Sequence, residues 1–278
     1  MTEINAAAVK ALREKTGLPM MDCKRALLDA EGDQQKAIEL LRKAGKKTMQ
    51  KRVGRETSAG RIAVYADFEA GVGAMIDLRC ESAPVAANQE FVQLAADLAQ
   101  QLATGPGADT PEELLSQPSP GKPGLTLKEQ FDELNNRIRE VFRLQRITRI
   151  DGPCSGYAHH NAGVGVLVQV EGGSAELAKD VCMHIAAMRP KVLTKQEVAP
   201  PDPAEVQKER EILAEVAEAE GKSEELEEMV DDWVRNYYAQ RCLCEQAFVK
   251  DTRKTIGEVA QEAGMRILGF VHWELAKE

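Results

Sequence analysis

The sequence predicts an α+β protein, and three patterns predict it. The first 45 residues read as three short helices, a strand–strand–helix unit occurs twice, and residues 204–238 read as an acidic pair of helices. With 278 residues, the chain has the length of two modest domains or of one domain carrying insertions. Its 43% hydrophobic content is enough for a packed core, but with aromatics at 4% that core must be built from Leu, Ile, Val, Ala and Met.

In the first helix Ile4, Ala8 and Leu12 recur every four residues, and Thr16-Gly17 ends it. Pro19 enters the second, whose apolar face is Cys23, Ala26, Leu27 and Ala30. Gly32 stops it, Asp33 caps the third, and Gly45 is read as the end of that helix. A basic stretch follows (Arg42, Lys43, Lys46, Lys47, Lys51, Arg52, Arg55), so residues 1–55 hold 13 Lys+Arg against 7 Asp+Glu in a chain of net charge −9. It is read as a solvated linker, with RNA binding as the alternative class.

Ile62, Val64, Ala66 and Phe68 alternate as one strand, and Ala74, Ile76, Leu78 and Cys80 as the next, with a turn at Glu69-Ala70-Gly71. Phe91, Leu94, Ala95, Leu98 and Leu102 follow helical spacing. Residues 104–124, with five prolines, read as loop. Thr126 to Glu129 form a capping box opening a helix expected to run through Phe142. The unit then repeats: "AGVGAMIDL" (70–78) matches "AGVGVLVQV" (162–170), and "LAADLAQQLA" (94–103) matches "LAKDVCMHIA" (177–186). Gly73 to Leu94 spans 21 positions and Gly165 to Leu177 only 12, so the first copy carries nine extra residues, within "CESAPVAANQEF" (80–91). The second copy turns with Gly172-Gly173-Ser174 alone, so the fold does not require the extra length. Surplus length at such a junction is where function often sits.

Pro200 to Pro203 break the chain before two helices, 204–219 and 223–238, joined at Gly221; residues 204–232 contain 12 acids and 3 bases. This antiparallel hairpin either projects toward a partner or packs on the body. Phe248 to Lys250 read as a short strand, Thr255 to Glu258 as a second capping box closed by Gly264, and Met265 to Glu274 as a final strand.

Reactive constellations are missing from the pattern. "AGKKT" (44–48) lacks the upstream glycine and preceding strand of a phosphate loop, and "PGKPG" (120–124) has Pro123 at the hydroxyl position. His159 and His160, read as neighbours on a strand, would point to opposite faces and not share a metal. His184 is read as a satisfied structural histidine, and Cys242-x-Cys244 lacks redox spacing. The expectation is a protein that is not an enzyme, with no metal, no cofactor and no direct nucleotide binding. The acidic balance argues against nucleic acid, and no apolar run approaches the length of a membrane span. Six scattered cysteines without a leader pattern suggest a cytoplasmic protein with reduced thiols.

Five stretches in order resemble the bacterial elongation factor Ts family: "VKALREKTGLPMMDCKRALLDAEGDQQKAIELLRKAG" (9–45), "CESAPVAANQEF", "GYAHHNAGVGVLV" (156–168), "KDVCMHIAAMRPKVL" (179–193) and "QAFVKDTRKTIGEV" (246–259). The resemblance implies an amino-terminal three-helix module of ubiquitin-associated type (1–45) that binds the partner. It further implies a basic linker (46–60), two related core subdomains (61–149 and 150–200), an inserted helical hairpin (201–240) and a carboxy-terminal part of the core (241–278). The implied activity is guanine nucleotide exchange on elongation factor Tu. A factor that prefers the nucleotide-free GTPase must loosen the nucleotide by the same factor by which the nucleotide loosens it. Carried over by residue, the partner contacts are Arg13, Met20, Met21 and Lys24 in the first module. In the core they are Ser82, Ala83, Pro84 and Val85, together with His159 or His160. Met20 and Met21, about 100° apart on a helix, cannot easily both face a small core. One departure stands out. Where the family commonly has Thr-Asp-Phe-Val-Ala, this chain has Ser82-Ala83-Pro84-Val85-Ala86: the hydroxyl is kept as a helix cap, while the carboxylate and the aromatic wedge are lost. The alternative is a non-exchange adaptor using the first module to bind proteins; a homodimer is left open.

Overall fold

Two three-stranded antiparallel sheets lie face to face, each covered on its outer side by helices. The structure, a computed structural model, describes residues 5–50, 52 and 54–275; Ile4 and Lys51 lie outside the described residues. The chain opens with α1 (Ala6–Thr16), α2 (Met20–Asp29) and α3 (Gln34–Gln50). Asn5 caps α1 by accepting the Ala8 N–H at 2.8 Å, and Gly17 ends it at φ +66°. Asp33 caps α3 through the amides of Gln35 and Lys36. Leu12, Cys23, Leu27 and Ala37 pack between the three helices.

Gly45 does not stop α3, which runs on to Gln50. A Cβ there would stand 2.3 Å from Oδ1 of Asn136, so the glycine permits close approach to α7 (Leu127–Ile138). The expected linker is therefore helical at its start.

The first sheet has the order β1 (Ala59–Asp67), β2 (Val72–Cys80), β3 (Arg143–Asp151). The second has the order β4 (Cys154–Ala158), β5 (Val164–Gly172), β8 (Met265–Glu274), while β6 (Ala247–Phe248) pairs with β7 (Asp251–Thr255). In each three-stranded sheet the second hairpin strand is central, and its pairing with the third strand shifts register at matching positions of the repeat, Asp77/Leu78 and Gln169/Val170. Ala74, Ile76 and Leu78 turn outward onto Phe91, Leu94 and Leu98 of α5 (Gln89–Thr104). Val166, Val168 and Val170 do the same onto Val181 and Ile185 of α8 (Ala175–Met188). The inward faces meet through Ile62, Met75 and Leu167.

Two further expectations are corrected. The stretch 104–124 contains α6 (Pro111–Ser116), opened by a capping box between Thr110 and Glu113 with Pro111 in the first turn, and it buries Leu114. The helix from Thr126 ends at Ile138 because Arg139 adopts the left-handed conformation at φ +66°. Phe142 then leaves the helix to sit edge-on against Phe91 and Phe131, with centroids 4.9 and 5.8 Å away. β3 is hidden in sequence because the register shift leaves Gln145 without a partner and breaks the apolar alternation between Leu144 and Ile147.

The acidic hairpin is α9 (Pro203–Glu220) and α10 (Leu226–Ala239), turned at Gly221 (φ +70°). α11 (Ile256–Glu262) starts with the expected Thr255–Glu258 box. His184 is buried and paired as expected: Nε2 meets Gln246 Oε1 at 3.0 Å and Nδ1 accepts the Val249 N–H at 3.3 Å.

Two predictions follow from this packing. A Cβ at Gly165 would lie 2.3 Å from Ile62 Cγ2, whereas one at Gly269 in β8 meets nothing within 4 Å. Gly165→Ala is expected to destabilise by about 1–3 kcal/mol, and Gly269→Ala to be neutral or mildly stabilising, as read by urea unfolding midpoints. Burial lowers the pKa of His184 below its ordinary 6.5, so the unfolded chain takes up the proton first. Stability should fall as pH drops through and below 6.5, and His184→Gln should flatten that part of the profile in denaturant melts.

Candidate functional site

The stretch after β2 makes a short helix before the long one. β2 ends at Cys80, α4 spans Ala83–Ala86, and Asn88 caps α5 by accepting the Glu90 N–H at 2.9 Å. Residues 81–88 therefore separate strand from helix, against residues 173–174 in the second copy, and α5 also begins earlier in the repeat than α8 does. These differences account for the surplus length.

Each end of α4 is fastened. At its start, the Ser82 N–H donates to Glu140 Oε2 at 3.0 Å and the Ser82 hydroxyl to Glu140 Oε1 at 2.5 Å. Ser82 thus occupies the cap position without its hydroxyl capping the helix, contrary to expectation. Ahead of it, Glu81 accepts the Val141 N–H at 2.8 Å and pairs with Arg55 at 3.1 Å. At the far end, Arg61 donates to the Ala86 carbonyl at 3.0 Å. Val85 and Ala86 rest against the core, while Ala83 and Pro84 are exposed. The sulfhydryl of Cys80 lies beneath and donates to the Ser82 carbonyl at 3.3 Å.

His159 and His160 do not lie on a strand with opposed faces. They occupy the β4–β5 turn, with ring centroids 4.1 Å apart. The His159 N–H donates to the Val164 carbonyl at 2.9 Å, and its Nδ1 meets the Tyr157 hydroxyl at 2.9 Å. The same turn docks on β1, where the Ile62 N–H donates to the Ala162 carbonyl at 2.7 Å. Because Arg61 holds α4 and Ile62 holds this turn, consecutive residues of β1 bring the two predicted core regions to one end of the sheets. Among the described residues, no group of three His, Cys, Asp or Glu side chains is placed to hold a metal ion, and no helix is long and apolar enough to cross a membrane.

In the first module Met20 and Met21 begin α2 with relative exposures of 49% and 66%, so neither is in the core. Lys24, one turn further on, and Arg13, in the last turn of α1, are also exposed at this end of the bundle. Contacts that sequence reasoning missed link the module to α4. Arg139 pairs with Asp22 of α2, and its carbonyl accepts from Arg52. The next residue is Glu140. Nothing in the local pattern marks Glu140, because its partner Ser82 is 58 positions away.

The titration shifts belong to structure rather than to chemistry. Burial, and next the charge of Glu140, push the Cys80 thiol up to about 11; burial pushes Cys154 to about 11 and Cys182 to about 12. All three are therefore protonated at pH 8, and a disulfide reagent at that pH should leave them unmodified in the folded chain and modify them on addition of guanidinium.

The family described as Elongation factor TS matches residues 81–277 of this chain. Elongation factor Ts of Kineococcus radiotolerans is 40% identical over 281 residues, covering 98% of each chain. Elongation factor Ts of Paenarthrobacter aurescens is 42% identical over 277 residues, covering 96% of each. Elongation factor Ts of Thioalkalivibrio sulfidiphilus is 38% identical over 279 residues, covering 99% of this chain and 92% of that protein.

Proposed function

The chain belongs to the elongation factor Ts family, and from that premise we propose that it is the guanine nucleotide exchange factor that promotes GDP release from elongation factor Tu. The observation that carries this reading is the match to elongation factor Ts proteins over almost the whole chain. The factor works in the cytoplasm and catalyses no bond chemistry of its own. It binds the nucleotide-free G domain more tightly than the nucleotide-bound form, and linkage makes the loosening mutual.

The contacts divide between two surfaces. Met20, Met21, Lys24 and Arg13 form the docking face of residues 1–45, where exposed methionines suit an adaptable contact. Residues 82–85 and His159, with His160 beside it, form the exchange face. Its division of labour follows the two core subdomains, 61–149 and 150–200. Pro84 presents a short wedge in place of the family's aromatic. Its ring holds φ near −65°, so little conformational freedom is left to lose on binding. The exposed position of Ala83 and Pro84 on a helix tied at both ends supports this role.

A second reading, a non-exchange adaptor, is favoured by the loss of the family's Asp-Phe pair at Ala83-Pro84. Stopped-flow release of labelled GDP from elongation factor Tu separates the two. The chain at micromolar concentration should accelerate release; an unchanged rate rejects exchange. Pro84→Gly should slow exchange about two- to fivefold by restoring chain freedom, and wild-type kinetics in that variant would remove Pro84 from the mechanism.

A further inference from the structure

Ser82 is the residue at which the chain leaves β2 and enters α4, with φ −131° and ψ 148°. A serine there ordinarily turns its hydroxyl onto the second or third amide of the helix. Ala83 is the first helical residue, so Pro84 is the second and has no N–H to offer. One of the two usual targets is therefore gone, and the hydroxyl donates outward to Glu140 instead. One carboxylate thus takes both donors of Ser82, each oxygen one bond.

Glu140 itself lies on irregular chain between α7, which ends at Ile138, and β3, which starts at Arg143. That corner is fixed from several sides. Arg139 holds a left-handed turn, with its N–H donating to the Asn135 carbonyl at 2.8 Å. Its guanidinium pairs with Asp22 of α2. On the other side, the Val141 N–H donates to Glu81. The two segments are therefore clamped reciprocally: the Glu81 side chain takes a backbone amide of the corner, and the Glu140 side chain takes a backbone amide of the turn into α4.

We propose that Glu140 is a positioning residue for exchange: it holds Ser82, and through it Ala83 and Pro84, against a corner that is also anchored to the amino-terminal helices by Arg139. This rests on the exchange reading above. Glu140 need not touch the partner. A wedge that must present itself at a defined angle loses effect when its mount loosens, even where docking through Met20 and Met21 is intact.

The test uses the full chain and stopped-flow release of labelled GDP from elongation factor Tu over a series of factor concentrations. Hydrogen bonds to a charged group are strong enough that Glu140→Ala should lower the saturating release rate about tenfold, equivalent to about 1.4 kcal/mol. The half-saturating concentration should move less than about twofold, since binding energy lost only in the acting state leaves docking unchanged. Glu140→Gln keeps one acceptor oxygen for Ser82 and should recover most of the rate. Ser82→Ala should slow release less than Glu140→Ala, and the double variant should be no slower than Glu140→Ala alone. Amide hydrogen exchange across residues 83–87 should quicken in Glu140→Ala. The inference is overturned by a wild-type saturating rate in Glu140→Ala, by a loss confined to the half-saturating concentration, or by multiplying effects in the double variant. Should Glu140→Ala not fold, Ser82→Ala carries the test: a wild-type saturating rate in that variant, or a slowed rate with wild-type amide exchange across residues 83–87, overturns it equally. A wild-type chain that leaves GDP release unchanged rejects the exchange reading itself; an active wild type with an unaffected Glu140→Ala rejects only the role of Glu140.

Discussion

Gly73 and Gly165 let the two sheets close on each other. A Cβ on Gly165 would fall 2.3 Å from Ile62 Cγ2 and 2.7 Å from Met75 Sδ, and one on Gly73 would fall 2.6 Å from Cys154 Sγ. Each glycine is the second in its copy of "AGVG", so the same position of each repeat faces the opposite sheet. Ile62, Met75 and Leu167 fill the space left beside them. Once the inner faces are committed to each other, each outer face needs its own helical cover, and α5 and α8 supply it.

The margin of that contact is electrostatic. Asp77 projects from β2 on the inner face and is fully buried. Arg79 reaches it at 2.6 and 2.9 Å, and Arg146 of β3 at 2.9 and 3.1 Å. Arg146 also lies over the Trp273 ring at 4.7 Å and donates to the Glu274 carbonyl at 3.2 Å, which ties the last strand to the first sheet. A buried carboxylate with two guanidinium partners adds little net stability over an apolar filling, but removing one partner strands a charge. Such a cluster fixes which sheet edges meet more than it strengthens their meeting.

On this frame, α4 and the His159 turn occupy one end, held by neighbouring residues of β1. A protein that acts by differential binding needs rigid presentation of a surface more than tuned acids and bases. The arrangement fits: the shifted thiols and His184 are sealed in the cores, and the exposed residues of the proposed exchange face are Ala83, Pro84 and His160. Glu81, Glu140 and Arg61 supply the mount; Glu140 and Arg61 lie outside the segment that they hold, and Glu81 stands at its start.

The sequence by itself determined the elements that local periodicity and caps can specify. The alternation of β1 and β2, the capping boxes at Thr126 and Thr255, the acidic hairpin and the surplus length before α5 were all legible, because each is a pattern among near neighbours. The family was legible for the same reason, in short ordered motifs. Tertiary structure decided the rest. Gly45 reads as a stop locally, yet it lies inside α3, where the missing Cβ leaves room for Asn136 of α7. β3 lost its alternation to a register shift that exists only when β2 is beside it. Ser82 reads as a cap, yet its hydroxyl goes to Glu140, since Pro84 withholds an amide and folding brings a carboxylate from far along the chain to 2.5 Å. Sequence specifies what each residue offers its neighbours; which offer is taken depends on distant groups that only folding brings within hydrogen-bonding distance.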